Sequence, residues 1–285
     1  MNRSFGVIGG DRRQAELARL LSEEGRQVST HGLRRWQAPG DGPLEQAAAA
    51  DVVILPLPLC RETGILELGE GAAVRTRELF RQLRPEQLLL AGQVRPEQQR
   101  EAEELGLDLR DLLLREDVAV ANAAITAEGA VQTALEHLDR SLAGAEVLVI
   151  GYGRIGKLLC CKLQGMGARV TAAARKPADL AWIRAYGARA VETERLDGEL
   201  ERTVVVFNTV PAMVLGAALL RQLPQGCLCI DLASVPGIDQ AAAEQLGLPC
   251  IWARSLPGRL APRAAAEVLR DAVDYIIIEE RGDPA

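Results

Sequence analysis

The sequence predicts an α/β protein made of two doubly wound, Rossmann-like domains with parallel sheets, joined by a long connecting helix, with a cleft between them. Three observations carry this reading. Apolar runs of four to six residues alternate with longer segments of helical period along the whole chain, the pattern of parallel strands and crossover helices. A length of 285 residues suits two domains at about 100–200 residues each. One strand–glycine–helix turn, at 147–157, has the form of a dinucleotide-binding unit.

The elements follow in order. In the first half, strands are expected at 4–8, 27–30, 51–55, 87–91 and 107–111, with helices such as 12–24 and 96–105 between them. Residues 126–142 lack a strand signal and place Ala127, Ala130, Val131, Ala134, Leu135 and Leu138 at helical spacing. Thr126 reads as the N-cap of this connecting helix, and Gly144 ends the segment. In the second half, strands are expected at 146–150, 169–173, 203–208, 227–231 and 249–253. A final helix at 262–278 can return to either domain. The expected division is therefore a substrate domain at 1–125, the connecting helix at 126–143, a cofactor domain at 144–260 and a C-terminal helix at 261–285.

Composition excludes several classes of function. There are 9 aromatic residues, so the core must be aliphatic and base-stacking single-strand binding is disfavoured. Lys+Arg 33 against Asp+Glu 39 leaves −6, with no basic excess for nucleic acid. The charge lies in residues 1–140, with 17 basic and 23 acidic side chains; residues 141–285 hold 16 of each and tolerate an anionic ligand better. No stretch reaches the ~20 apolar residues that span a bilayer, and the N-terminus has no signal-peptide pattern. The six cysteines (60, 160, 161, 227, 229 and 250) form no CxxC pair and read as buried, reduced thiols of a cytoplasmic protein.

The strongest chemical signal is Val147-Leu-Val-Ile-Gly151-Tyr-Gly153-Arg-Ile-Gly156-Lys157. Bare glycine spacing is weak evidence, but here it follows an apolar strand and opens an amphipathic helix. Gly151 permits the turn, Gly153 lets main chain approach a pyrophosphate, and Gly156 lets helix and strand pack closely. The loop of Gly151, Tyr152, Gly153, Arg154, Ile155 and Gly156 is thus expected to hold a dinucleotide through helix N-terminal N–H groups. In NAD sites a carboxylate about 20 residues on takes the ribose hydroxyls. Here Arg175 and Lys176 stand in that region, and the next carboxylate is Asp179. A guanidinium grips a 2′-phosphate with two bonds, so the reading favours NADP(H), with NAD(H) as the alternative. Ligands of such sheets lie beyond the carboxyl ends of the strands. Asn208, Thr209, Val210 and Pro211 after one strand, with Ala233 and Ser234 after another, are therefore expected on the nicotinamide side.

The first half has no second cofactor site. Val7-Ile-Gly-Gly-Asp11-Arg-Arg-Gln14 joins strand to helix but lacks a third glycine, and the Asp11 carboxylate repels a phosphate. Two readings stand: Asp11, Arg12 and Arg13 face a substrate, or Asp11 caps the helix and both arginines lie in solvent. Only His31 and His137 are present, so no His-rich metal site is expected, and no histidine follows residue 137 to serve as a hydroxyacid dehydrogenase's acid/base.

The blocks Gly9-Gly-Asp-Arg-Arg-Gln14, Asn122-Ala-Ala-Ile-Thr-Ala-Glu-Gly-Ala130, Gly151–Gly156, Asn208–Pro211, Asp231–Gly237 and Leu256-Pro-Gly-Arg-Leu-Ala-Pro262 occur in this order over nearly the whole chain. In that order they resemble the family of dipicolinate synthase A subunits. Two positions depart from its pattern: Ile125 stands where a proline precedes the threonine, and Arg259 stands where lysine is common.

The resemblance implies an NADP-dependent oxidoreductase subunit that works with a flavoprotein-like B subunit. The implied product is dipicolinate, formed from a precursor on the dihydrodipicolinate branch of lysine biosynthesis, in the cytoplasm of the mother cell during sporulation. A dicarboxylate needs cationic clamps, and the matching blocks offer Arg13 and Arg259, with Asp11 beside them. Thr126 and Glu128 are expected at the start of the connecting helix, facing the cleft, where Glu128 serves as general base if desolvation raises its pKa. The other reading of Glu128 is a first-turn carboxylate favoured by the helix dipole. Two further functions stay open: an NADP(H)-binding regulatory or scaffold subunit, and another two-domain NADP-dependent dehydrogenase. A homo-oligomer is compatible with all of them.

Overall fold

In the computed structural model, which describes residues 3–60, 64–69 and 71–280, the chain forms two compact α/β units. Unit 1 runs as far as Asn122 and resumes at Gly258, whereas unit 2 is Ala123–Pro257. Gly258 and Arg259, expected in the cofactor domain, thus belong to unit 1.

Unit 1 contains β1 (Phe5–Ile8), β2 (Val28–His31), β3 (Val52–Ile54), β4 (Ile65–Gly69), β5 (Ala72–Arg75), β6 (Leu88–Ala91) and β7 (Asp108–Asp111). Its helices before the boundary are α1 (Arg12–Glu23), α2 (Leu44–Ala48), α3 (Thr76–Phe80) and α4 (Pro96–Glu104). Five strands make one parallel sheet in the order β2-β1-β3-β6-β7, the order of a doubly wound fold. Strands β1, β3 and β6 are buried along their whole length, because helices cover both faces. All five expected strands are present. The antiparallel pair β4–β5 was not expected; its short runs are broken by glycine, and only Leu66 and Leu68 of β4 point into the core.

The connecting helix α5 spans Glu116–His137, and the boundary between the units falls inside it. It begins ten residues before the expected start and ends at His137 rather than near 142. Thr126 is therefore an interior helical residue and not an N-cap, and Glu128 lies in the fourth turn. The first-turn acids are Glu116 and Asp117, which suit the positive end of the helix.

Unit 2 contains β8 (Glu146–Ile150), β9 (Arg169–Ala174), β10 (Arg189–Glu192), β11 (Val205–Asn208), β12 (Leu228–Asp231) and β13 (Cys250–Trp252). They form a parallel sheet in the order β10-β9-β8-β11-β12-β13. Its helices are α6 (Arg154–Gly165), α7 (Pro177–Ala185), α8 (Ala217–Leu220) and α9 (Gln240–Gln245). The edge strand β10 escaped the sequence reading because Val191 is its one buried residue. After α10 (Leu256–Leu260), helix α11 (Pro262–Glu280) returns to unit 1. There Leu269, Val273 and Ile276 pack in one cluster with Leu17 and Leu21 of α1, and Arg26 grips Asp274 with two bonds of 2.5 and 2.8 Å.

The cysteines are free, but not all are buried: Cys161 is exposed and Cys250 half-buried. Cys160 and Cys161 are neighbours on α6, so about 100° of helical rotation turns one inward and the other out.

The carboxyl ends of β11 and β12 are tied by a buried polar knot. Asn208 and Asp231 are both 0% exposed. Asp231 accepts Asn208 Nδ2 at 2.9 Å and the backbone N–H of Ala233, Gly237 and Ile238 at 3.1, 2.7 and 3.0 Å. Asn208 also exchanges two bonds of 3.0 Å with the backbone of Val210. A Cβ on Gly237 would lie 2.3 Å from Asn208 Nδ2, so the loop closes only around glycine. Asp231→Ala should destabilise the protein by about 3 kcal/mol, because it strands four N–H donors, three of the backbone and one of Asn208. Thermal unfolding should register that as a fall in Tm of about 10 °C. Asp231→Asn should not rescue it, since either amide orientation points NH₂ groups at N–H donors; an unchanged Tm in both variants would refute this account.

Candidate functional site

The turn after β8 is built to receive a dinucleotide. Gly151 has φ +97°, and a Cβ there would strike Thr209 Oγ1 at 2.3 Å. Gly156 packs its Cα face on the Gly151 carbonyl, where a Cβ would lie 2.0 Å away. Gly153 differs: no atom lies within 4 Å of a Cβ built on it, so its face is open. Gly153 is also the N-cap of α6 and brings no side chain to the helix end. The terminal N–H groups of this 12-residue helix are therefore left without a side-chain cap, the condition for holding a phosphate. The residues fit a pyrophosphate-bearing cofactor.

The side chains between the glycines play different parts. Tyr152, expected at the cofactor, is 6% exposed and packs in the core, where burial pushes its hydroxyl up to about 12. Ile155 also packs against the core, and Arg154 is exposed at the first turn. At Tyr152 and Ile155 it is therefore main chain, not side chain, that faces a ligand. Arg175 and Lys176 follow β9, next to β8 in the sheet, and both are exposed. Neither forms an ion pair among the described residues.

In the loops after β11 and β12, three of the residues expected on the nicotinamide side are engaged by the protein itself. Asn208 has no free amide for a nicotinamide, since the Asp231 knot occupies it. Thr209 turns its hydroxyl back onto the Ile150 carbonyl at 3.0 Å, and Ala233 is buried with its carbonyl held by Trp252 Nε1 at 2.8 Å. Val210 is half-buried, whereas Pro211 and Ser234 are exposed. Asp231 and Trp252, which organise both loops, were missed. An acidic residue closing an otherwise apolar strand was the available signal.

In unit 1, Asp11 is the N-cap of α1 and forms a capping box with Gln14. Its carboxylate accepts the Arg13 backbone N–H at 2.9 Å and pairs with the Arg13 guanidinium at 2.9 Å. Arg13 also donates to the Leu57 carbonyl at 2.5 Å and is 14% exposed. The capping reading of Asp11 thus holds, but Arg13 is not in solvent: it is fastened inside the unit. Gly258 of α10 lies over this pair, and a Cβ there would be 2.9 Å from Arg13 Nε and 3.2 Å from Asp11 Oδ2. Gly258 of the LPGRLAP block therefore meets the GGDRRQ block within unit 1, and the next residue, Arg259, is exposed.

Glu128 does not meet the condition for a general base. Its side chain is 64% exposed and paired with Lys162 of α6 at 2.9 Å, so the desolvation that role requires is absent. Thr126 is half-buried within α5. No group of three or more His, Cys, Asp or Glu among the described residues is placed to hold a metal ion, and no described helix is long and apolar enough to cross a membrane.

The open face of Gly153 yields a direct test. Gly153→Val should abolish thermal stabilisation by nicotinamide dinucleotides while circular dichroism stays that of the native fold, because a Cβ there has no protein atom within 4 Å and the side chain fills the approach to the helix end. Normal stabilisation in a folded variant would exclude this loop as the cofactor site.

Known families match the chain in two successive stretches. Residues 4–113 match the N-terminal domain of the dipicolinate synthase A subunit, and residues 112–244 match the NAD binding domain of D-isomer specific 2-hydroxyacid dehydrogenase. The dipicolinate synthase A subunit of Bacillus subtilis (strain 168) is 28% identical over 287 residues, 96% of this chain and 96% of that protein. The crystal structure of the A subunit of dipicolinate synthase from Bacillus halodurans superposes with a TM-score of 0.86 at 29% identity, over 97% of this chain and 98% of that one. Its counterpart from Bacillus subtilis gives 0.86 at 27% identity, over 99% and 98%. The chain is thus a dehydrogenase-like protein with a nicotinamide-cofactor domain, and over nearly its whole length it is similar to the dipicolinate synthase A subunits.

Proposed function

We propose that this chain is the NADP-binding subunit of an oxidoreductase that forms dipicolinate, acting with a second, B-type subunit in the cytoplasm of a spore-former's mother cell. The observation that carries the redox part is the uncapped α6 N-terminus behind the open Gly153, with exposed Arg175 and Lys176 at the end of the neighbouring strand. The relatives' names support the product and the partner. The precursor is a partly reduced pyridine dicarboxylate from the dihydrodipicolinate branch; its aromatisation removes a hydride and a proton. When bound, the nicotinamide ring supplies the hydride acceptor. Arg175 and Lys176 hold the 2′-phosphate, and the main chain of Gly151–Gly156 holds the pyrophosphate. The Asp11–Arg13 pair fixes the seat of α10, and Arg259 on that helix offers a cation to a substrate carboxylate.

A second reading has a specific observation behind it. Glu128 and Arg13, the side chains expected to act on substrate, are engaged with Lys162 and with Asp11. In that reading the chain binds NADP(H) and its partner carries the chemistry. NADP+ reduction with the dihydrodipicolinate precursor, with and without the B-type subunit, separates the two. Turnover by the isolated chain supports the first reading and refutes the second, and none in the complex removes both.

Cofactor choice has its own test. Wild type should bind NADP(H) more tightly than NAD(H), and Arg175→Ala should lose about 1.5–3 kcal/mol for NADP(H) alone. Fluorescence titration of both cofactors measures this; equal affinities in the wild type would remove the phosphate role of Arg175.

A further inference from the structure

Unit 1 carries a cavity of about 570 Å³ at the carboxyl ends of three adjacent strands. Gly10 and Asp11 after β1, Gly32 and Arg35 after β2, and Pro56–Leu59 after β3 line it, with the β4–β5 hairpin on another side. This is where ligands of doubly wound sheets bind, and the volume is that of a small-molecule site. The hairpin approaches without side chains between: a Cβ on Gly32 would lie 1.4 Å from the Leu68 carbonyl oxygen, and one on Gly69 would lie 2.1 Å from that of Gly32.

The charged groups on its wall are not equivalent. Asp11 is neutralised by Arg13, and Glu67 is engaged as well. Arg35 forms no ion pair among the described residues, in a chain where most arginines do. Its guanidinium instead stacks on the Trp36 ring, 4.2 Å from the centroid. Stacking engages one face of the guanidinium and uses none of its N–H groups, and Arg35 lines the cavity. The backbone beneath is fixed: Arg34–Trp36 is a 3₁₀ turn closed by Gln37 at φ +54°, and Arg19 of α1 donates to the carbonyls of Trp36 and Gln37 at 3.0 and 3.3 Å. Arg19 is itself held by Glu16 at 2.7 Å.

We infer that this cavity binds a small carboxylate-bearing ligand and that Arg35, not Arg13, is its carboxylate receptor. The guanidinium is oriented before binding, so little side-chain entropy is lost when two parallel N–H···O bonds form. Naming a ring dicarboxylate as that ligand rests on the function proposed above.

Isothermal titration of the full chain with pyridine-2,6-dicarboxylate in metal-free buffer tests this. Wild type should bind, Arg35→Ala should weaken binding at least tenfold, and Arg35→Lys should fall between them because an ammonium lacks the fork. Arg34→Ala, one residue away and exposed, should change affinity less than twofold. All variants should keep the wild-type circular dichroism spectrum and NADP(H) affinity. Absence of binding in the wild type, equal affinity in Arg35→Ala, or an equal loss in Arg34→Ala would overturn the assignment. Arg35-dependent binding together with no turnover in the complex would leave it standing and refute the proposed reaction instead.

Discussion

Asp231 is a carboxylate with no exposed surface and no cationic partner among the described residues, and it survives there because four N–H groups converge on it. Burial of an anion without such donors would cost several kcal/mol. The arrangement fixes three things at once. It orients Asn208, closes the 231–238 loop around Gly237, and so sets the carboxyl ends of β11 and β12 beside the glycine turn after β8. Thr209, the residue after Asn208, then lies against Gly151 and leaves no room for a side chain there. The cofactor face of unit 2 thus depends on an acid that touches no cofactor.

The two units use the same strand–turn–helix device in opposite ways. In unit 2 the helix end is left without a side-chain cap and the glycine before it faces open space. In unit 1 the same end is sealed by the Asp11 carboxylate, and that carboxylate is neutralised in turn by Arg13. One choice at the N-cap, glycine or aspartate, separates an anion-binding turn from a structural one. This explains why a doubly wound sheet alone does not fix the ligand of unit 1.

Most of the fold was legible because parallel strands covered on both faces are written as continuous apolar runs, as in Val52–Ile54 and Leu88–Ala91. What escaped was written weakly. Strand β10 buries one apolar side chain at a sheet edge, and the β4–β5 pair is held by main chain meeting glycine rather than by an apolar pattern. The start of α5 was misplaced because a threonine before an alanine-rich stretch looks like a cap, while the acids that open the helix lie ten residues earlier. In the site, the shape of the glycine turn could be read because it follows from backbone geometry. Asn208, Tyr152, Arg13 and Glu128 could not, because their roles depend on which partner reaches them first: Asp231, the core, Asp11 and Lys162.

The contact between Gly32 and Gly69 has a consequence for how this chain can change. Because the Leu68 carbonyl fills the space that a side chain on Gly32 would need, and the Gly32 carbonyl fills that of one on Gly69, neither can be replaced singly without lifting the hairpin off the sheet. The height of the hairpin is therefore set by backbone thickness, while Ile65, Ala72 and Ala73 remain substitutable on its pocket side. Divergence among relatives can then resize the chamber by exchanging those three residues while the ceiling stays where it is, so that new ligand preferences arise without renegotiating the fold.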